Sequence, residues 1–446
     1  MNKIKKFFII IFVASLILQF NFPALANSPK PDYFIDESKL PFDPLPGIDS
    51  ERFWGIHNGA GYRIEVPADW NGDLVVWAHG YRGDVLELTV DNPPLRDWLI
   101  ENGYAWAASS YSKNAYNVAQ AAKDTHALTT FFNGLVGKPD YTFISGVSMG
   151  GHIAAVLIEQ WPKSYDGAMP MCGVMADYEI VDFFLDFNLA SQALAGIEAV
   201  YPPADDFLLL TVASIKNGLE MIDETFPFTL NTQGEQFKAV VKLRSGGERP
   251  TFNQAFLFWN GIVPDDFMFW AGTINDTLTK VKGMPVDNYD TVYQFDTDPT
   301  LSAEEQELND NILRVMRDPQ SNHPNGLANL PVVGGDITIP VLTLHDLGDL
   351  FVPFSMEQIY AQRVADKGAS HLLVQRAIRS FEHCGFTMDE ITQGFEDLVS
   401  WVKDGISPPG DDLLDPDVVA DPNFGCNFTS EDRVWPFPLT IPACPE

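Results

Sequence analysis

Positive charge is scarce in this chain. Its 446 residues carry 28 Lys plus Arg against 61 Asp plus Glu, a formal net charge of −33, and that balance repels nucleic acid and anionic lipid. The excess speaks to solubility in a saline or extracellular setting and not to fold. Cysteine is scarce too. Cys172, Cys384, Cys426 and Cys444 are the full set, with no C-x-x-C spacing among them, so the usual sequence-local zinc site is excluded. Long apolar runs are confined to the start of the chain. There Lys3, Lys5 and Lys6 precede an apolar stretch from Phe7 to Phe20, and Ala24-Leu25-Ala26 follows, the layout of a signal peptide over residues 1–26 with cleavage before Asn27. The apolar stretch is short for a membrane span and Pro23 closes it, so no membrane insertion is expected after cleavage. Export to a secreted or periplasmic location permits two disulfides, with three possible connectivities.

What is present is an alternation of strands and helices with one long interruption. Residues 27–50, rich in Pro and polar side chains, read as an extended N-terminal arm. Arg52–His57 and Tyr62–Val66 alternate like strands around Asn58-Gly59-Ala60-Gly61, a hairpin signal. Leu74–Ala78 is continuously apolar, as a buried parallel strand should be. A helix over Pro94–Asn102, a strand over Tyr104–Ala108, a helix over Val118–Phe132 and strands over Tyr141–Ser145 and Gly167–Met171 complete a first core part, residues 51–173. From 174 to 338 the rhythm stops for about 165 residues, far beyond an ordinary connection. Helical lengths at Asp182–Ala195, Asp206–Ile222 and Gln254–Thr273 make this stretch an inserted, mainly helical cap. Phe256-Leu-Phe-Trp-Asn-Gly261 is echoed by Phe267-Met-Phe-Trp-Ala-Gly272, and these aromatics exceed what one helical layer buries, so some should face a pocket. The core resumes over 339–404 with strands at Ile339–His345 and Ser370–Arg376 and helices at Ser355–Val364 and Asp389–Val402. A Pro-rich tail, 405–446, ends the chain. The expected architecture is α/β, a mostly parallel sheet flanked by helices.

Chemistry concentrates at three strand ends. Gly146-Val-Ser148-Met-Gly150 joins an expected strand to an Ala-rich helix, and a serine in so sharp a turn needs glycines two residues either side. Asp346-Leu-Gly-Asp349 leaves the strand that starts the second core part, just before Val352-Pro353. Arg379-Ser-Phe-Glu-His383-Cys-Gly lies in the next loop. Serine, acid and histidine thus occur in one order along the chain, the set needed for a nucleophile, its general base and the group that orients the base. His152 falls one helical turn past Ser148, and His345 and His371 lie at strand ends without the loop position a catalytic base needs. Asp296-x-Asp298 is spaced loosely like a calcium loop, but Leu301 replaces the turn glycine and Ser302-x-x-Glu305 reads as a helix capping box.

In this combination the chain resembles α/β-hydrolase fold serine esterases over roughly Leu74 to Asp404. The resemblance implies a nucleophile Ser148, an acid Asp349, a base His383, and an oxyanion hole from the backbone N–H groups of Tyr81, after the His79-Gly80 turn, and Met149. It implies a small-molecule ester substrate and no cofactor or metal. His383-Cys384-Gly385 with the helix beyond it resembles tannase and feruloyl esterase type enzymes more narrowly. Those place a Cys just before the nucleophile, where this chain has Val147. A peptidase or amidase on the same scaffold shares the triad, and a capped binding protein without activity is the reading from another class. Cys426 and Cys444, close in sequence, are expected to pair; Cys172 and Cys384 form either a second bond or two buried thiols. Oligomeric state is not legible in the sequence.

Overall fold

Eight strands form one sheet in the computed structural model, which describes residues 32–221, 227–271, 283–323, 330–430, 439–441 and 443–444. The expected signal peptide lies outside the described residues. The strands are β1 (Ser50–His57), β2 (Ala60–Pro67), β3 (Asp73–Ala78), β4 (Ala105–Ser109), β5 (Tyr141–Val147), β6 (Gly167–Met171), β7 (Val341–Asp346) and β8 (Leu373–Ile378), in spatial order β1-β2-β4-β3-β5-β6-β7-β8. Only β2 runs against the rest: it is antiparallel to β1 and β4, and every other pairing is parallel. This is the α/β-hydrolase sheet.

Local chemistry explains the two ends of the sheet. Asn58 and Gly59 both take positive φ, 52° and 84°, as a two-residue turn matching the strand twist requires. The turn is therefore tighter than the four-residue signal suggested, and Ala60 and Gly61 belong to β2. At the far end, Ser370–Leu372 forms a single 3₁₀ turn, which delays β8 to Leu373. Central strands are covered on both faces. In β3, Leu74 and Val76 pack with residues of α2 (Val118–Leu135) and α3 (Met149–Gln160), while Val75 and Trp77 pack on the opposite face with α1 (Arg96–Glu101). Burial on both faces is why the strand lacks polar alternation.

Between β6 and β7 lies the cap, built from α4 (Glu179–Leu194), α5 (Val212–Gly218), α6 (Thr232–Arg244), α7 (Phe252–Leu257), α8 (Phe267–Ala271) and α9 (Ala303–Asn311). Two π-helical turns, Phe207–Thr211 and Phe258–Ile262, stand against α5 and α7. The single helix expected over Gln254–Thr273 is instead broken between Ile262 and Phe267. Pro264 lacks an N–H, and Asp265 and Asp266 take positive φ of 61° and 52°, so no helix continues through them. Likewise the helix expected over Asp206–Ile222 starts as a π turn and ends at Gly218; Ile222 lies outside the described residues. Ser302 does form a capping box: its hydroxyl accepts from Glu305 N at 3.2 Å, and Glu305 Oε2 accepts from Ser302 N at 2.7 Å. Glu305 Oε1 accepts from Phe295 N at 2.5 Å, so this carboxylate is occupied by the backbone rather than by a calcium loop.

The second core part carries α10 (Ser355–Asp366) and α11 (Met388–Asp404). Tyr360 and Val364 of α10 join the α2–α3 face, and Phe395 and Leu398 of α11 the opposite one. The tail then runs back along β8, the outermost strand, where Asp411 N donates to Gln375 O at 2.8 Å and Asp411 Oδ2 accepts from Ala377 N at 2.9 Å. Leu413, Val419 and Phe424 of the tail pack with Leu347, Phe354 and Ala377. Cys426 and Cys444 are bonded, their Cα atoms 5.6 Å apart. Among the described residues no helix is long and apolar enough to cross a membrane.

Candidate active site

The turn from β5 into α3 forces Ser148 to φ 56° and ψ −121°, a region that costs a non-glycine residue about 1–3 kcal/mol. The surroundings hold it there. A Cβ on Gly146 would sit 2.5 Å from Gly150 O, and one on Gly150 would sit 2.0 Å from Ala78 O at the end of β3. Only glycine lets the strand, the turn and the helix start come this close. Ser148 N donates to Met171 O at 3.0 Å, and Ser148 O accepts from Gly151 N at 2.9 Å. The serine thus sits at the N-terminal end of α3, where unpaired backbone N–H groups gather.

Asp349 and His383 meet on the same edge of the sheet. Asp349 Oδ2 is 2.5 Å from His383 Nδ1, and the carboxylate is fully buried. Its other oxygen accepts from Phe351 N at 2.8 Å and Val352 N at 3.0 Å, so both oxygens are fixed by hydrogen bonds. Asp346 has a different post: its Oδ2 accepts from Gly385 N at 2.9 Å, two residues past the histidine. The acid turn and the histidine loop touch at Gly348, whose N donates to Ser380 O at 2.7 Å and where a Cβ would lie 2.7 Å from Phe381 Cα. The remaining ring nitrogen, His383 Nε2, is buried without a hydrogen-bond partner. Catalytic hydrogen bonds are often unmade until substrate is in place.

The turn after β3 faces the serine. A Cβ on Gly80 would be 3.3 Å from Ser148 Cβ, which brings the Gly80–Tyr81 peptide beside Ser148. His79 fixes that peptide. Its Nδ1 lies 2.7 Å from Gly80 O, its ring stacks on Tyr111 at 4.0 Å, and burial holds its pKa well below the usual value. A neutral His79 carrying its proton on Nδ1 donates to the carbonyl of the peptide whose N–H belongs to Tyr81. Met149 opens α3, so its N–H has no partner within the helix. His152, by contrast, is engaged at both nitrogens, with Tyr116 Oη at 3.0 Å and Pro331 O at 2.8 Å, which is a packing role. His345 Nε2 is 2.8 Å from Val352 O.

Cys172 and Cys384 are joined, with Cα atoms 5.3 Å apart. That decides between the two readings the sequence left open. The bond links the end of β6 to the residue after His383. Their sulfurs and a ring nitrogen of His383 lie within 4.8 Å of one another, but sulfurs bonded to each other are not thiolate ligands.

Sequence reasoning did not find two aromatic neighbours. Phe351 sets its ring 4.9 Å from the imidazole of His383 at 70°, and touches Phe267 at 4.8 Å and Phe184 at 6.0 Å from the cap. Trp259, also from the cap, donates its Nε1 hydrogen to Gly348 O at 3.1 Å and Phe381 O at 2.9 Å. The Phe-Leu-Phe-Trp repeat marked this segment, but nothing local told which ring would reach the Asp349 and His383 loops.

No family model matches the chain. An o-phthalyl amidase from Xanthobacter agilis is 22% identical over 411 residues, 80% of this chain and 88% of that protein. Among solved structures, feruloyl esterase B from Aspergillus oryzae aligns over 83% of this chain and 84% of its own, with 13% identity and a TM-score of 0.41. An esterase from Aspergillus oryzae aligns over 80% of each chain, with 14% identity and a TM-score of 0.42.

Proposed function

We propose that the protein is an exported serine hydrolase that cleaves carboxylic esters bearing apolar or aromatic groups. The observation that carries this reading is the 2.5 Å contact of buried Asp349 with His383 Nδ1, on the sheet edge where Ser148 stands in its strained turn. Asp349 holds the imidazole with its proton on Nδ1, leaving Nε2 to take the proton of Ser148 Oγ as that oxygen attacks the acyl carbon. The backbone N–H groups of Tyr81 and Met149 receive the developing oxyanion. His383 then returns the proton to the departing alcohol, and water releases the acyl group by the reverse sequence. Phe351, Phe184 and Phe267 form an apolar wall beside the histidine, and residues 174–338 act as the cap that selects the group bound there. Residues 1–26 are read as the export signal, in keeping with two disulfides.

A second reading is supported by the likeness to the amidase over most of both chains. The same residues would expel an amine in place of an alcohol, with His383 again the proton donor. Matched aryl ester and aryl amide pairs, including ortho-carboxylated, feruloyl and galloyl members, separate the two by kcat/KM. Labelling of Ser148 by a fluorophosphonate is expected, with loss of both labelling and turnover in Ser148→Ala; turnover surviving in that variant would overturn the reading.

A further inference from the structure

We infer that Trp259 is a positioning residue through which the cap sets the geometry of the Asp349–His383 pair, an inference that rests on the serine hydrolase reading above. The two loops carrying this pair come from different strands and meet along a seam between Leu347 and Gly348 on one side and Ile378 and Ser380 on the other. At that seam Gly348 N donates to Ser380 O at 2.7 Å and Leu347 N to Ile378 O at 2.8 Å. The indole N–H of Trp259 lies across it, shared between the carbonyl just before Asp349 and the carbonyl two residues before His383. One donor thereby bridges the loops of both partners.

The ring of Trp259 belongs to the aromatic wall as well. It lies 5.7 Å from Phe267 and 6.4 Å from Phe351, and Phe351 in turn meets the imidazole edge-on. Trp259 itself is 5% exposed and sits in a π-helical turn, a distortion that re-aims side chains and is frequent at functional sites. Arg249, earlier in the same cap segment, reinforces the contact: its Nε donates to Leu347 O at 2.5 Å. A substrate group packed on this wall presses on the residue that holds the two loops together. Occupancy of the cap is in this way coupled to the Asp349–His383 hydrogen bond, with Trp259 acting through the backbone carbonyls of the two loops.

The test removes the N–H and keeps the ring. In Trp259→Phe, and in the chain carrying a benzothiophene side chain in place of the indole of Trp259, the rate of fluorophosphonate labelling of Ser148 is expected to fall about tenfold, which corresponds to about 1.4 kcal/mol. The downfield proton resonance of the His383 Nδ1–H should broaden or vanish in both. For a small aryl ester the loss should fall on kcat, with KM nearly unchanged. Phe256→Leu, a change in the cap's own core, is expected to lower Tm while leaving labelling rate and resonance as in the wild type. Wild-type labelling and an intact resonance in the benzothiophene chain would overturn the inference, including the case in which Trp259→Phe does not fold. Absence of labelling in the wild-type protein would overturn the serine hydrolase reading, and this inference with it.

Discussion

Asp346 and Asp349 stand three residues apart and hold one histidine loop in different ways. Asp349 binds the imidazole, and Asp346 binds the backbone N–H of Gly385. Replacing a triad carboxylate by an amide leaves geometry intact and favours the wrong imidazole tautomer, a loss of about 10⁴ in kcat. On the proposed serine hydrolase reading, Asp349→Asn is expected to fall by that order. Asp346→Asn keeps an oxygen able to accept from Gly385, so its kcat should stay within about tenfold of wild type; kcat and Tm measured on both variants check the contrast. The sequence pointed to Asp349 through its resemblance, because it follows a turn glycine and precedes Val352-Pro353 as the acid of α/β-hydrolase fold esterases does. What it could not give was the post of Asp346, since that bond joins residues 39 apart and no local pattern encodes it. Ser148 was legible for the opposite reason. Its strain is local, and Gly146 and Gly150 record it within two positions either side.

At the scale of elements, β7 and α10 are joined by a buried pair that the sequence did not reveal. His345 Nδ1 and Glu357 Oε1 are 3.4 Å apart, each at most 1% exposed. Burial works against a charged imidazole, but Glu357 outweighs it and the pKa of His345 is raised. A histidine whose folded pKa exceeds its unfolded value stabilises fully below the unfolded value, about 6.5, and this contribution is lost as pH rises through the folded value. Tm should therefore decline on the alkaline side of that point, and His345→Gln should flatten the decline in thermal scans across pH. The cap holds a second lesson. Helical length suggested one helix over Gln254–Thr273, yet Pro264 and two left-handed aspartates divide it. The cap is packed on the loops it covers: Leu350, Val352 and Phe381 of the Asp349 and His383 loops lie in the same apolar cluster as Phe256 and Trp259 of the cap. A chain with residues 174–338 replaced by a short linker is expected to lose fluorophosphonate labelling along with its near-ultraviolet dichroism. Retained labelling would show that the loops order themselves without the cap.

Across the whole molecule, the Cys172–Cys384 bond closes 212 residues, the entire cap included. On a chain-entropy argument such a closure stabilises by about 5 kcal/mol, against about 3 kcal/mol for the 18-residue separation of Cys426 and Cys444. Both bonded cysteines near the site take positive φ, 44° at Cys172 and 57° at Cys384, so the bond also holds two strained turns in place. Cys172→Ser with Cys384→Ser should lower both Tm and the labelling rate of Ser148. Cys426→Ser with Cys444→Ser should leave labelling unchanged, as thermal scans and labelling kinetics on the two variants will tell. The sheet that these bonds stabilise has a vulnerable margin. By occupying Gln375 O and Ala377 N, the tail denies β8 to any strand of another molecule, and an uncovered strand edge is a template for intermolecular pairing. A chain ending at Pro409 would offer those groups to its neighbours. Concentration-dependent association, seen by light scattering and strongest in salt that screens the chain's negative charge, is the expected result, which makes the last stretch of sequence a guard against aggregation.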